Sequence, residues 1–318
     1  MALYSICGFT LESNIPLPEL LPVYNKKPEL AFRLLHTQRV DAPLRWLHHY
    51  PLFDGRPWLS VGELGTGYLL RFPDLADFHV FPEAADIRYY LNANIPLGTI
   101  RHLFLNQVIP LILSERGKLV LHASAVVTPK GAIVFLGETG QGKSTLTASF
   151  AQRGFSVLTD DCLLVEEQNG QLFGIPSYPG LRLWPDSISA LFGNKSRLPR
   201  VAYYADKKRL TARDGRLRFA TEAAPLHKIY VLAGAQQTEH LMPTIDQLSP
   251  RDAFIELIAY SYRLRVSGHK RLNKEFERIG RAASSLSLSR LTSPRNLSLL
   301  PVVQNAILAD LEMPTIPL

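Results

Sequence analysis

Residues Gly137-Glu138-Thr139-Gly140-Gln141-Gly142-Lys143-Ser144 carry the spacing G-x-x-x-x-G-K-[ST], between a short apolar run and a segment of helical spacing. The run Ala132-Ile133-Val134-Phe135-Leu136 is continuous and rich in β-formers, as a strand buried on both faces must be. From Lys143 to Arg153 the spacing predicts a helix that stops at Gly154, a residue suited to the left-handed position after a helix end. A strand, a glycine turn and a helix N-terminus in that order aim successive amide N–H groups and a partial positive charge at one anion. The expected ligand is the phosphate chain of a nucleotide, with Lys143 reaching its β- and γ-phosphates and the Ser144 hydroxyl ligating Mg²⁺. Gly137, Glu138, Thr139, Gly140, Gln141, Gly142, Lys143, Ser144 and Thr145 are therefore the candidate nucleotide-binding residues.

The chain has 318 residues, enough for two domains or one large one. The apolar segment Leu103 to Leu113 is interrupted by Asn106, Gln107 and Pro110, and no run of about 18 apolar residues occurs, so no membrane span is expected. Met1 to Cys7 lacks a basic stretch and a long apolar stretch, so no secretory signal is expected. With Cys7 and Cys162 as the only cysteines, a disulfide framework is excluded and a cytoplasmic location is expected.

Residues 1 to about 98 read as a β-rich module of uncertain role, recognition of a substrate or support. Its strand-like runs are Tyr4 to Phe9, Glu29 to Leu35, Trp58 to Val61, Gly67 to Phe72 and Ile87 to Tyr90. His36, His48, His49 and His79 lack metal-ligand spacing, and the neighbours His48 and His49 would face opposite ways on a strand. Residues 99 to 318 read as a second, α/β domain with α+β tendencies. A helix over 99–114 ends near Gly117, and strands Leu119 to Val127 and Ala132 to Leu136 form a hairpin through Thr128 to Gly131. After the helix 143–153 come a strand at Phe155 to Leu158 and the acidic pair Asp160-Asp161. A further hairpin turns at Asn169-Gly170; then follow a strand Lys228 to Leu232 and helices over Pro250 to Val266, Lys270 to Ser284 and Leu299 to Leu311.

Asp160 lies only seventeen residues after Lys143, at the end of the very next strand. A carboxylate there can hold Mg²⁺ or take a proton from an attacking hydroxyl, and two adjacent ones can divide these tasks. A second concentration of charge lies between Lys195 and Arg218. Its nine basic residues, Lys195, Arg197, Arg200, Lys207, Lys208, Arg209, Arg213, Arg216 and Arg218, stand against Asp206 and Asp214, an excess equal to the whole chain's net charge of +7. This window reads either as a solvated loop or as a mobile, anion-handling loop over the active site.

The segment Leu121-His122-Ala123-Ser124-Ala125-Val126, the glycine loop through Thr145, and Arg153-Gly154 to Thr159-Asp160-Asp161 together resemble the catalytic core of the HPr kinase/phosphorylase family. The wider arrangement is similar to the related kinases of lasso-peptide and other peptide-modification systems. The resemblance implies a P-loop kinase core of HPr-kinase type, using ATP and Mg²⁺ to phosphorylate a serine on a peptide or small protein. It also implies roles: Asp160 as base, Asp161 with Ser144 around the metal, and His122 as a neighbour that tunes or positions Asp160. The family's I-E-x-R-G segment is absent; the comparable stretch runs from Tyr178 to Asp186, keeps Arg182, lacks the glutamate, and offers Asp186 as a substitute metal ligand. That departure leaves phosphorolysis and HPr itself as open questions, and a homo-oligomer stays open too. Two other readings stand beside the kinase: a nucleotide-hydrolysing switch without an acceptor, and a nucleic-acid binder using the basic window with Tyr203 and Tyr204 as stacking platforms. Neither nucleic acid nor membrane is the expected partner.

Overall fold

The computed structural model describes all residues except 36–42, 44, 53, 84, 92–94, 194–197, 234–241, 265–268, 295 and 316–318. His36, Lys195 and Arg197, named above, lie outside the described residues. By packing, the chain divides into two units: Met1–Lys118 with Val201–Ala205 and Tyr262–Lys274, and Leu119–Arg200 with Asp206–Ser261 and Glu275–Leu318. The break therefore falls after Lys118 and not near residue 98, because the helical segment 97–115 packs with the N-terminal strands.

The first unit is built on a nine-stranded sheet in the order Leu21–Pro22, Ala2–Ile6, Phe9–Ser13, Leu30–Leu34, Asp86–Leu91, Ala76–Phe81, Gly67–Phe72, Pro57–Leu64 and Arg45–Pro51. The strand expected over Tyr4 to Phe9 is instead a hairpin, since Cys7 and Gly8 both take positive φ (49° and 79°) and reverse the chain between Ile6 and Phe9. Three strands were not expected, Leu21–Pro22, Arg45–Pro51 and Ala76–Phe81: the first is two residues long, the second carries His48 and His49 side by side, and the third buries Asp77 and His79. The Phe104 ring, in the π-helical turn Phe104–Val108, stacks on Phe32 with centroids 3.6 Å apart. Outlying segments join this unit by specific bonds: Tyr50 Oη donates to the Arg263 carbonyl (2.9 Å), and the Tyr203 N–H donates to Thr99 Oγ1 (3.2 Å). Among the described residues no cluster of His, Cys, Asp or Glu suits a metal, and no helix is long and apolar enough to cross a membrane.

The second unit is mixed α/β. Its sheet runs Leu119–Leu121, Leu163–Gln168, Gln171–Ile175, Ala224–Ala233, Gly131–Leu136, Ala123–Thr128, Ser156–Thr159, with Ser287–Thr292 and Thr244–Gln247 attached beside Ala224–Ala233. Gly131–Leu136 pairs parallel to Ala224–Ala233 and antiparallel to Ala123–Thr128, and it is buried along its whole length. The strand expected over Leu119 to Val127 is broken at His122: Leu119–Leu121 pairs with Leu163–Gln168, Ala123–Thr128 with Gly131–Leu136, and the His122 N–H donates to the Tyr260 carbonyl at 2.7 Å. The hairpin turn at Asn169-Gly170 forms as expected, both residues at positive φ. The helix expected to reach Val266 ends at Ala259, and Val266 itself lies outside the described residues.

The basic window is not a loop throughout. Ala205–Thr211 is a strand paired with Gly180–Leu183, and Arg209 is buried in it. The alternation Leu210, Arg209, Lys208 escaped the sequence reading because basic side chains mask the strand period.

The helix Lys143–Gln152 is clamped by Phe150, fully buried, stacked on Phe135 (centroids 6.0 Å apart) and edge-on to Phe155 (5.6 Å). Phe150→Ala is expected to cost about 3–5 kcal/mol by opening a cavity under that helix. A urea midpoint equal to the parent's would show that the helix does not depend on this anchor.

Candidate active site

Strand Gly131–Leu136 ends directly at the glycine loop, and the helix Lys143–Gln152 leaves it, so one buried strand aims the loop and one anchored helix holds its far end. Gly137, Gly140 and Gly142 have φ of 150°, 90° and 95°, a backbone that side chains with a Cβ rarely adopt. A Cβ at Gly140 or Gly142 would meet open space, so the demand there is conformational. The Glu138 N–H already points at an acceptor oxygen, the side-chain carbonyl of Gln141 at 2.7 Å. Open space above the glycines, an amide aimed outward and a lysine at the loop's base fit a phosphate chain.

Lys143 is buried and donates to the carbonyls of Gly137 (2.7 Å) and Glu138 (3.1 Å), with His122 Nε2 3.1 Å away. Burial, opposed by Asp160 and reinforced by Lys207 and Arg182, lowers its pKa from 10.5 to about 8. Burial, then the charges of Lys143, Arg182 and Lys207, holds His122 well below its ordinary value, so the ring is neutral and Nε2 accepts from the Lys143 ammonium. A sign follows for binding. Above pH 8 the free protein loses the Lys143 proton that a phosphate needs, so ATP affinity is expected to fall by up to about tenfold per pH unit between pH 8 and 9.5. Calorimetric titration across that range checks it; a flat profile would remove Lys143 from the binding site.

Asp160 is the most constrained group of the site. It is 1% exposed, Oδ1 accepts from Ser144 Oγ (2.7 Å) and Ser124 Oγ (2.6 Å), and Oδ2 accepts from the Arg182 N–H (2.9 Å), with Arg182 Nε 3.8 Å away. Asp161, the next residue, has φ +70° and forms an ion pair with the Arg182 guanidinium. The left-handed turn sends the two carboxylates to different partners on the same arginine.

The structure thus brings together Lys143, His122, Ser144, Asp160 and Asp161, with two changes from the expected pairings. Ser144 meets Asp160, where Asp161 was expected beside it, and the bond shown by His122 is to Lys143, where Asp160 was expected. A second hydroxyl, Ser124, also touches Asp160; it lies two residues after His122 in the segment that carries the family resemblance, just past the break between Leu119–Leu121 and Ala123–Thr128. Asp186 does not complete an acidic ligand set: among the described residues no three His, Cys, Asp or Glu side chains converge, and its Oδ1 accepts from the Ser187 N–H at 2.7 Å. Asp186 instead lines an open depression of about 580 Å³ with Gly140, Trp184, Pro185, Arg200, Asp206 and Lys208. Thr145, the last residue of the motif, bonds through Oγ1 to Ser187 Oγ at 2.9 Å and so ties the helix start to Pro185–Phe192.

A serine hydroxyl, one or two carboxylates and a phosphate chain are what Mg²⁺ accepts as partners. Ser144 and Asp160 lie together as such a pair, and their residue types fit that ion.

No family model matches this sequence, and no curated protein matches it. Among solved structures, the Hpr(Ser) kinase/phosphatase from Coxiella burnetii aligns with 60% of this chain and 97% of its own length, at 16% identity and a TM-score of 0.32. A likeness that distant supports neither fold nor function by itself.

Proposed function

We propose that this chain is an ATP- and Mg²⁺-dependent kinase that phosphorylates a serine hydroxyl on a peptide or small protein. The observation that carries this reading is the Ser144–Asp160–Ser124 hydrogen-bond cluster set beside a buried Lys143 at the mouth of a positive-φ glycine loop. Bound ATP with Mg²⁺ would supply the transferable phosphoryl group and neutralise part of its charge.

The protein's own groups divide the remaining work. Lys143 and the loop amides orient the phosphate chain and stabilise the charge that develops on it. Ser144 and Asp160 form the metal side, because the Ser144 hydroxyl meets that carboxylate directly and not Asp161. Asp161, beside Arg182, is then the carboxylate that receives the acceptor's proton, reversing the roles assigned from the sequence. Neutral His122 holds the Lys143 ammonium in place. A flexible peptide can deliver a hydroxyl to this site without a closed polar pocket, and the depression beside Gly140 is correspondingly open. The buried Cys7 and Cys162 form no disulfide, which suits a reducing cytoplasm.

The test is incubation with labelled ATP, candidate peptides encoded near this gene and a metabolite panel, read by mass spectrometry. One phosphate on a peptide serine is expected. Phosphate released into water with nothing labelled would favour a nucleotide-driven switch, and a phosphorylated small molecule with no labelled peptide would overturn the acceptor class.

A further inference from the structure

Lys207 belongs to the basic window, yet it does not behave as a solvated lysine. It lies in Ala205–Thr211, the strand paired with Gly180–Leu183 so that Arg182 stands opposite Arg209 and Leu183 opposite Lys208. Period-two geometry puts Asp206 and Lys208 on one face of this strand, and these two line the open depression; Lys207 and the buried Arg209 share the other face. Lys207 is half-buried, and its recorded contact is the Trp184 indole, whose centroid lies 5.4 Å from Nζ. Among the described residues it has neither an ion pair nor a hydrogen-bond acceptor.

Its charge is nevertheless felt across the site. The Asp160 carboxylate and the Arg182 guanidinium both act on Lys207, and Lys207 in turn acts on Lys143 and His122. Asp160 already accepts from Ser124 and Ser144 at Oδ1 and from the Arg182 N–H at Oδ2, and it acts on Lys207 by charge without a hydrogen bond to it. Asp161 is engaged by Arg182. Lys143, Arg182 and Lys207 therefore act on one another around Asp160 and Asp161, both already engaged by other groups, while Glu138 acts on Lys143. A partly desolvated ammonium without an anion is costly, and the arrival of one repays that cost. Burial and Arg182 together lower the pKa of Lys207, the electrostatic counterpart of the same missing anion.

We propose that Lys207 is a second phosphate-binding cation of this site, acting with Lys143 on the terminal phosphate of the nucleotide. Trp184 keeps the ammonium turned toward the site while no anion is bound. The proposal rests on the nucleotide reading above and narrows the nine basic residues of the window to one with a defined ligand group.

The experiment measures calorimetric affinity for ATP and AMP with Mg²⁺ in the parent, Lys207→Gln and Lys207→Arg proteins, after thermal unfolding has shown that each is folded. Lys207→Gln is expected to weaken ATP by about tenfold and leave AMP within about twofold, while Lys207→Arg keeps ATP within about threefold, because charge and not shape is required. Unchanged ATP affinity in Lys207→Gln, or an equal loss for ATP and AMP, would overturn the proposal and leave the nucleotide site standing. A parent protein that binds neither nucleotide would overturn both. If Lys207→Gln fails to fold, Lys207→Met, which keeps the stem against Trp184 and removes the charge, carries the same comparison.

Discussion

Lys143→Ala is expected to lower phosphoryl transfer by about 10³-fold or more while the folded state persists. The lysine is the group best placed to stabilise charge on the transferring phosphate, and in a water-poor site such a contact is worth several kcal/mol of barrier. The fold does not need it. Burial depresses its pKa from 10.5 to about 8, which means that the folded protein holds the charged form at a cost. The linkage runs accordingly: between pH 8 and 10.5 the unfolded chain binds the proton and the folded chain does not, so this group's penalty is full below pH 8 and is relieved as pH rises through that window. At pH 7 the alanine variant should therefore unfold at a temperature no lower than the parent's. Retained transfer in a well-folded Lys143→Ala protein would sink the nucleotide-site reading. Chelating the metal should abolish transfer as well, and activity indifferent to chelator would remove Mg²⁺ from the proposal.

The second large effect separates the two aspartates. In Asp160→Asn the amide oxygen can keep the Arg182 N–H while the Ser124 and Ser144 hydroxyls turn to accept from the new NH₂, so the fold should survive. What disappears is the negative charge beside Ser144. The Mg²⁺ concentration needed for half-maximal transfer is expected to rise at least about tenfold. Asp161→Asn leaves the Ser144–Asp160 pair intact, and transfer at saturating Mg²⁺ is expected to fall by about 100-fold with the metal requirement little changed. Measuring rate against Mg²⁺ for both variants decides the matter. If Asp160→Asn loses transfer at saturating metal and Asp161→Asn loses the metal, the roles inferred from the family resemblance are restored and those inferred from the hydrogen bonds are wrong.

Local grammar was legible where backbone demands and residue type coincide. The glycine loop, the buried strand before it, the helix stop at Gly154 (φ 93°) and the turn at Asn169-Gly170 all follow from positive-φ positions that few residues tolerate. Strands that bury polar or charged side chains were not legible: Ala76–Phe81 contains the buried Asp77 and His79, and Ala205–Thr211 contains the buried Arg209. These polar groups lie inside because partners elsewhere in the chain offset their desolvation, as Arg71 does for Asp77 at 2.8 Å. Arg71 is only six residues from Asp77, but what makes them partners is the hairpin register that sets them opposite each other.

By itself the sequence determined that a strand, a glycine turn and a helix present Lys143 and Ser144 at one point, and that two carboxylates follow at the end of the next strand. Both are consequences of short-range backbone chemistry and spacing. Only the tertiary structure decided which carboxylate meets Ser144, that Ser124 and Arg182 close around Asp160, and that His122 supports Lys143. Those pairings join residues 16 to 36 positions apart and depend on strand register and on the left-handed turn at Asp161, and a register is set by how whole faces pack, which no local pattern encodes.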